Sequence, residues 1–144
     1  MALLEWSDAL ALDMPVMDET HREFVELLTA VEVAPDGSLL AGWDALIAHT
    51  DEHFGREDEW MRRAGFAAGN CHSTQHRVVL ETMREGARLA AHGRLYIVRE
   101  MASQLAPWFV NHAQSMDAGL ALHLKSLGFD PATGEFEEAG TMPA

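Results

Sequence analysis

The stretch SLLAGWDALIAHTDEHFGREDEWMRR, residues 38–63, has a strong helical period. Its inward residues recur every three or four positions: Trp43, Leu46, Thr50, His53, Glu57 and Trp60. This spacing is typical of one face of an α-helix. A histidine and a glutamate on such a face are costly, because buried polar groups lose their hydrogen bonds to water. We therefore predict a long helix whose inner face carries a polar site.

Three further segments have the same period, and no segment alternates as a β-strand would. They run from about Asp18 to Ala34, from about residue 70 to Gly93, and from about residue 95 to Leu127. Their inward stripes are, in chain order, His21, Phe24, Leu28 and Val31; His72, His76, Val79, Met83, Ala87 and Ala90; and Val98, Met101, Leu105, Trp108 and His112. Four helices joined by short connections predict an all-α, antiparallel up-and-down four-helix bundle.

The domain organisation that follows is simple. We expect residues 1–144 to form one domain, with an N-terminal arm (1–17), the four-helix bundle (18–127) and a loosely held tail (128–144). Trp6, Leu10 and Leu12 are the residues that we expect to anchor the arm against the bundle. The tail is rich in Gly, Pro and Glu.

The charge of the chain excludes several partners. Acidic residues number 23 against 10 basic ones, and the formal net charge is -13. Such a surface repels nucleic acids and anionic membranes, and no apolar stretch is long enough for a membrane span. The single cysteine, Cys71, excludes an internal disulfide, and we expect it to be at least partly buried. Because no signal peptide is recognisable, we expect a cytoplasmic protein, and we expect it to be a monomer.

Seven side chains that can bind metals fall at one level of the predicted bundle. They are His21, His53, Glu57, His72, His76, His112 and Asp117. In an up-and-down bundle, the start of the first helix, the end of the second, the start of the third and the end of the fourth lie together. A metal centre would compensate all of these buried polar groups at once.

The spacing of the last two residues requires an irregular helix. His112 and Asp117 are five residues apart, which separates them by about 140° on a regular α-helix. Both can face inward if the helix widens into a π-turn or changes course between them. Pro107 lies just upstream and lacks a backbone donor, so we expect an irregularity in this region.

The composition of the donor set indicates two metal ions. Five imidazoles and two carboxylates are too many for one tetrahedral zinc site. Imidazole suits iron, copper, zinc and nickel, and carboxylates are harder ligands that can bridge two ions. The residues alone therefore predict a carboxylate-bridged pair of metals without fixing the element.

The same motifs resemble the hemerythrins, and especially their bacterial single-domain members. The resemblance rests on His21, on HFGREDEWM at 53–61, on His72-x-x-x-His76 and on WFVNH-x-x-x-x-D at 108–117, and it covers residues 6 to 120. It implies a non-heme di-iron centre that binds dioxygen reversibly.

The resemblance also implies a role for each ligand. His72, His76 and His112 would bind a coordinatively full iron, and His21 and His53 would bind an iron with an open position for dioxygen. Glu57 and Asp117 would bridge the two iron ions, together with an oxo or hydroxo group from solvent.

Four aromatic residues lie close to the ligands in sequence: Phe24, Phe54, Trp108 and Phe109. They can be ordinary core residues, and they can also form the water-poor wall of a dioxygen pocket. Phe109 and Ala113 stand where the family often has Leu and Ile, so the pocket is expected to be reshaped.

Other functions compete with oxygen carriage, storage or supply. A di-iron oxidase or ferroxidase would use a carboxylate-rich site with Glu-x-x-His motifs, and none occurs here at a plausible inward position. A sensing module would act through an output domain, and we expect none to be attached, which weakens that hypothesis. Iron handling and nitric-oxide defence stay open. We expect a binding protein rather than an enzyme, in which His49, His92 and His123 are not ligands.

Overall fold

Helices account for most of the computed structural model, which describes residues 3–66 and 69–130. They are α1 (Pro15–Val33), α2 (Asp36–Ala64), α3 (Gly69–Ala91), α4 (Leu95–His112) and α5 (Ala118–Ser126), with a π-helical turn (Ala113–Asp117) joining α4 to α5. Each helix packs on the next along the chain, and α1 also packs against α4. The fourth helix of the bundle is therefore the continuous unit α4–π-turn–α5, and the prediction of an all-α up-and-down four-helix bundle is confirmed.

The helix ends follow from local chemistry. α1 begins at Pro15, three residues before the predicted start, because the fixed φ of proline suits the first helical position. The Asp18 carboxylate accepts hydrogen bonds from the backbone N–H groups of Leu12 and Met14, which holds the chain as it enters the helix. α2 ends at Gly65, whose φ of 61° is a left-handed conformation that glycine adopts at little cost.

The N-terminal arm lies against the bundle through its apolar residues. Leu10 is buried, and Trp6 and Leu12 pack against the apolar clusters of the bundle. The Arg22 guanidinium lies 4.9 Å from the centre of the Trp6 ring, which adds a cation–π contact. The predicted anchoring residues are confirmed.

Two apolar clusters lie on either side of the level of the histidines. The larger one includes Leu28, Trp43, Leu46, Val98 and Leu105. The smaller one closes the other end of the bundle and includes Met14, Met17, Trp60, Leu120 and Leu124. The polar layer is therefore enclosed along the bundle axis by packed hydrocarbon.

The C-terminal end of the described chain belongs to the smaller cluster. Phe129 is buried, and its ring centre lies 5.1 Å from that of Trp60. The remainder of the predicted tail, residues 131–144, lies outside the described residues. Among the helices in residues 3–66 and 69–130, none has the length and apolar character needed to cross a bilayer.

Candidate metal centre

The seven predicted metal-binding side chains meet in one buried layer. α1 contributes His21, α2 contributes the i, i+4 pair His53 and Glu57, and α3 contributes the i, i+4 pair His72 and His76. The last two, His112 and Asp117, come from the end of α4 and the end of the π-turn. Each of the seven is at most 3% exposed. The four-residue spacing places both members of each pair on the same face of their helix.

The π-turn brings Asp117 into this layer. The turn spans Ala113–Asp117 and begins directly after His112. Because a π-turn holds an extra residue, two residues that are five apart come to the same face. The predicted irregularity between His112 and Asp117 is confirmed. It does not lie at Pro107, since α4 continues through that residue.

The donor atoms form two overlapping groups, in each of which all atoms lie within 4.8 Å of one another. One group consists of Glu57, His72, His76, His112 and Asp117, and the other of His21, His53, Glu57 and Asp117. Only the two carboxylates belong to both groups. The arrangement can hold two ions side by side, with three imidazoles on one and two on the other.

The Glu57 carboxylate turns one oxygen to each group. Its Oε1 lies 3.4 Å from Nε2 of both His72 and His76. Its Oε2 lies 2.5 Å from Nε2 of His53 and 3.9 Å from Nε2 of His21. A carboxylate placed in this way has one donor oxygen for each metal position.

The Asp117 carboxylate repeats the pattern. Its Oδ1 lies 2.9 Å from Nε2 of His72 and 3.2 Å from Nε2 of His112, both in the three-histidine group. Its Oδ2 lies 3.1 Å from Nε2 of His21 in the two-histidine group. Asp117 therefore resembles Glu57 in directing one carboxylate oxygen toward each donor group.

Unsatisfied buried atoms in this layer indicate that a cation belongs here. Glu57 Oε1, Asp117 Oδ2 and His21 Nε2 are buried and have no hydrogen-bond partner among the described residues. In addition, Nε2 of His112 lies 3.2 Å from Nε2 of both His72 and His76. Three ring nitrogens aimed at one point repel one another unless a positive charge separates them. The residues therefore suit a di-iron site, since a pair of cations would satisfy these atoms together.

Two residues that the sequence did not single out hold the outer nitrogens of the ligand rings. His76 Nδ1 donates to Asp58 Oδ1 at 2.9 Å, and Ser73 Oγ donates to the same oxygen. His112 Nδ1 donates to Gln75 Oε1 at 3.1 Å. Such contacts fix the tautomer, so that Nε2 is the free donor atom. Nothing in the sequence distinguishes Asp58 from the neighbouring Glu59, which pairs with Arg62 at the surface.

The metal-free layer carries protons on some of its imidazoles. Burial has the largest effect on the pKa of His21 and His72 and lowers it. However, the close contacts with the negatively charged carboxylates of Asp117 and Glu57 together raise the pKa of each ring to about 9. Burial likewise acts to raise the pKa of the two carboxyl groups, but the surrounding imidazoles hold both pKa values below their usual range. The pKa of His53 is lowered, mainly by burial.

We expect metal binding at pH 7 to release at least the protons of His21 and His72, because a metal binds the neutral ring. The carboxylates are already ionised and release none. Affinity should therefore rise between pH 7 and 9, by about tenfold per pH unit for each proton. A zinc titration of metal-free protein in weak buffer with a pH indicator measures the release. Binding without proton release would contradict the protonation of these two rings.

The same pKa shifts act on the stability of the metal-free protein. A raised imidazole pKa favours the folded state fully below the ordinary value near 6.5, and this contribution is lost as the pH rises through about 9. Metal-free protein should therefore become less stable as the pH rises from 6.5 through 9. Its affinity for metal rises over the same pH range.

The four predicted wall residues divide between the two metal positions. Phe109 meets His21 edge-on at 5.3 Å and stacks on Phe24 at 4.3 Å. Phe54 lies 5.5 Å from His53 but stacks on His76 at 3.8 Å. Trp108 stacks on His112 at 4.5 Å, in the three-histidine group. Phe109 is thus the wall residue whose ring contacts His21, and Phe24 stacks on Phe109.

The remaining histidines lie outside both donor groups. His49 is paired with Glu23 at 3.1 Å near the surface. His92 Nδ1 lies 2.8 Å from the carbonyl oxygen of Arg88, and His123 Nε2 lies 3.2 Å from that of Ala64. The expectation for Cys71 was wrong, because this residue is exposed. It directly precedes His72 on α3 and points about 100° away from it, toward solvent.

Comparison with known proteins agrees with this geometry. A family model described as the hemerythrin HHE cation binding domain matches residues 13–122. The chain is 37% identical over 130 residues to the bacteriohemerythrin of Ralstonia nicotianae, and the match covers 90% of this chain and 95% of that protein. It is 31% identical over 130 residues to the bacteriohemerythrin of Stenotrophomonas maltophilia, covering 88% and 84% of the two chains. For the bacteriohemerythrin of Pseudomonas aeruginosa, identity is 28% over 123 residues, covering 83% and 80%. The family model spans every residue of the two donor groups.

Proposed function

Because this chain belongs to the hemerythrin family, we propose that it binds dioxygen reversibly at a non-heme di-iron centre, for oxygen carriage, storage or local supply. The observation that carries the proposal is the pair of donor groups that share only Glu57 and Asp117. A pair of ferrous ions bound there would supply the two electrons that dioxygen takes up on binding and returns on release.

The donor groups support a proposed set of ligands for each ion. His72, His76 and His112 would hold one iron, and His21 and His53 the other. Glu57 and Asp117 would bridge them, since each has one oxygen toward either group. The iron in the two-histidine group would have one imidazole fewer than the iron in the three-histidine group. We therefore expect dioxygen to bind beside His21 and His53.

The chain's own contribution to reversibility is an apolar surface on the His21 side of this position. Phe109 and Phe24 are each 2% exposed and belong to the larger apolar cluster; Phe109 contacts His21 edge-on, and Phe24 stacks on Phe109. Hydrocarbon admits dioxygen but discourages water and protons, which would make its release irreversible. Phe54 adds to this surface beside His53.

The donor set also supports a binding protein over an oxidase. Five imidazoles and two carboxylates form the site among the described residues, whereas ferritin-like oxidases use mainly carboxylates.

We further propose that the protein works in the cytoplasm as a monomer. The absence of any disulfide-forming pair in a chain with one cysteine supports the first point, and sedimentation of the iron-loaded protein tests the second.

The decisive experiment is a cycle of absorption spectra on iron-loaded protein. We expect two irons per chain, a nearly colourless reduced form under argon, a visible absorption band in air, and loss of that band when argon replaces the air. Metal analysis of the same sample gives the stoichiometry. A centre that oxidises irreversibly in one turnover while an added substrate is oxidised would replace the proposal with an enzyme. One metal per chain would exclude a di-iron centre.

A further inference from the structure

A polar cavity of about 270 Å³ lies between α1 and α2, beside the two-histidine group. Three carboxylates line it, those of Glu19, Glu23 and Glu52, against the single guanidinium of Arg56. Arg56 is held at the wall, because its Nη2 donates to Thr20 Oγ1 at 2.6 Å and its Cζ lies 5.5 Å from the Trp60 ring centre. The cavity therefore has an excess of negative charge, which concentrates cations.

The cavity reaches a residue of the metal layer. His53 lines it, although this residue is only 3% exposed. The Nε2 atom of its ring faces Glu57, whereas its Nδ1 is buried without a hydrogen-bond partner among the described residues. The cavity thus connects exposed carboxylates directly with an imidazole that belongs to the donor layer.

The cavity also contains side chains that can bind a cation before it reaches the buried donor layer. His49 and Glu23 both line the cavity, and His49 Nε2 lies 3.1 Å from Glu23 Oε1. Imidazole and carboxylate are groups that bind ferrous iron, and side chains near the surface can exchange it with water. The cavity therefore offers a cation weaker ligands before the buried ones.

A second cavity, of about 210 Å³, approaches the three-histidine group but suits a cation less well. Asp51, Asp58 and Glu81 line it together with two guanidiniums, those of Arg77 and Arg84. Asp51 is already paired with Arg84 at 3.1 Å. The ring of His76 at this wall is covered by stacked Phe54, and its Nδ1 is occupied by Asp58.

We propose that the cavity between α1 and α2 is the route by which ferrous iron reaches the buried centre. Glu19, Glu23 and Glu52 attract the ion, and His49 and Glu23 bind it transiently. His53 is the first buried ligand that it meets. This inference rests on the proposed function, since it presupposes that the centre holds iron. It assigns to the three glutamates a role in loading and none in dioxygen binding.

The test measures iron uptake by the metal-free full-length protein. Ferrous iron alone is added anaerobically at roughly 10 mM ionic strength, where charges act over about 30 Å. Uptake is stopped with a chelator at set times, and protein-bound iron is measured. We expect the variant Glu19→Gln/Glu23→Gln/Glu52→Gln to load on the order of tenfold more slowly than the parent protein. The difference should shrink at 0.5 M salt, and both proteins should reach the same final iron content.

The matched control changes the net charge equally at a different place. Asp44→Asn/Asp51→Asn/Glu81→Gln removes three exposed carboxylates, two of them from the second cavity. We expect this variant to load at nearly the parent rate. Equal slowing in both variants, or parent-rate loading of the first, would overturn the route. A parent protein that never reaches two irons per chain would instead overturn the proposed function, and the final iron content separates these outcomes.

Discussion

Replacing Glu57 by alanine should reduce the iron content from two per chain to one or fewer. Glu57 is fully buried and is one of only two residues shared by both donor groups. Its loss removes one donor oxygen from each metal position and one of the two negative charges beside the imidazoles. The free energy of unfolding should therefore lose the contribution of the metal that no longer binds. That contribution is about 4 kcal/mol per site where the free metal concentration is a thousand times the Kd of the site.

Metal analysis and thermal unfolding, before and after chelation, measure this effect. His92→Ala is the control, because His92 is exposed, lies just after α3 outside both donor groups, and its Nδ1 lies 2.8 Å from the carbonyl oxygen of Arg88. That variant should keep its iron and its Tm. If Glu57→Ala also kept both, Glu57 would have to be removed from the set of ligands, and the bridging role would pass to Asp117 alone.

Replacing Phe109 by asparagine should accelerate irreversible oxidation of the reduced centre in air by roughly tenfold or more, which corresponds to about 1.4 kcal/mol of activation free energy. Phe109 covers His21 edge-on and stacks on Phe24. An amide at this position brings a hydrogen-bonding group and space for water beside the two-histidine side. Iron content should change much less than the oxidation rate, because no donor atom is altered.

Phe109→Leu is the matched control, because it also shortens the side chain but keeps the surface apolar. The rate at which the visible band of oxygenated protein decays distinguishes the two variants. We expect the leucine variant to stay close to the parent rate. If both variants oxidised equally fast, the size of Phe109 rather than its apolar character would protect the centre. If neither changed the rate, the aromatic pair would be ordinary core.

The sequence was sufficient to predict the bundle and the inward stripes of α1 and α2. Both helices have long runs of residues spaced by three and four, and those runs are buried as expected. The π-turn could also be predicted, because His112 and Asp117 share a side of a helix only if an extra residue separates them.

The stripe of α4 was less predictable. Met101 and Trp108 were expected to face inward, but both are half-buried, whereas Ala102 and Phe109 are buried. α4 packs on α1, α2 and α3, so several of its faces contact neighbours, and its rotation depends on side-chain sizes across three interfaces. The periodicity of apolar residues along α4 does not by itself determine this rotation.

The outer contacts of the ligand rings were beyond sequence reasoning for a similar reason. Asp58 on α2 reaches His76 on α3, and its sequence neighbours are two other acidic residues. Only the distance between the helices makes Asp58 the partner. Gln75 likewise lies next to a proposed ligand in sequence, which does not indicate that it binds His112 on another helix.

The π-turn has a consequence for how this gene can change. Deleting any one codon between those for Ala113 and Ser115 would allow an ordinary α-helix, which is the more favourable backbone. The same deletion would leave the Asp117 carboxylate four positions after His112, a spacing that an ordinary α-helix also places on one face. Leu120 and Leu124 would likewise stay on the side of the smaller cluster. Loss of one of these codons should therefore be tolerated, whereas loss of a second would rotate all downstream residues by about 100° and turn the carboxylate away from the histidines. The π-turn thus makes this short stretch the place in the helix where the gene can lose one codon without dismantling the centre.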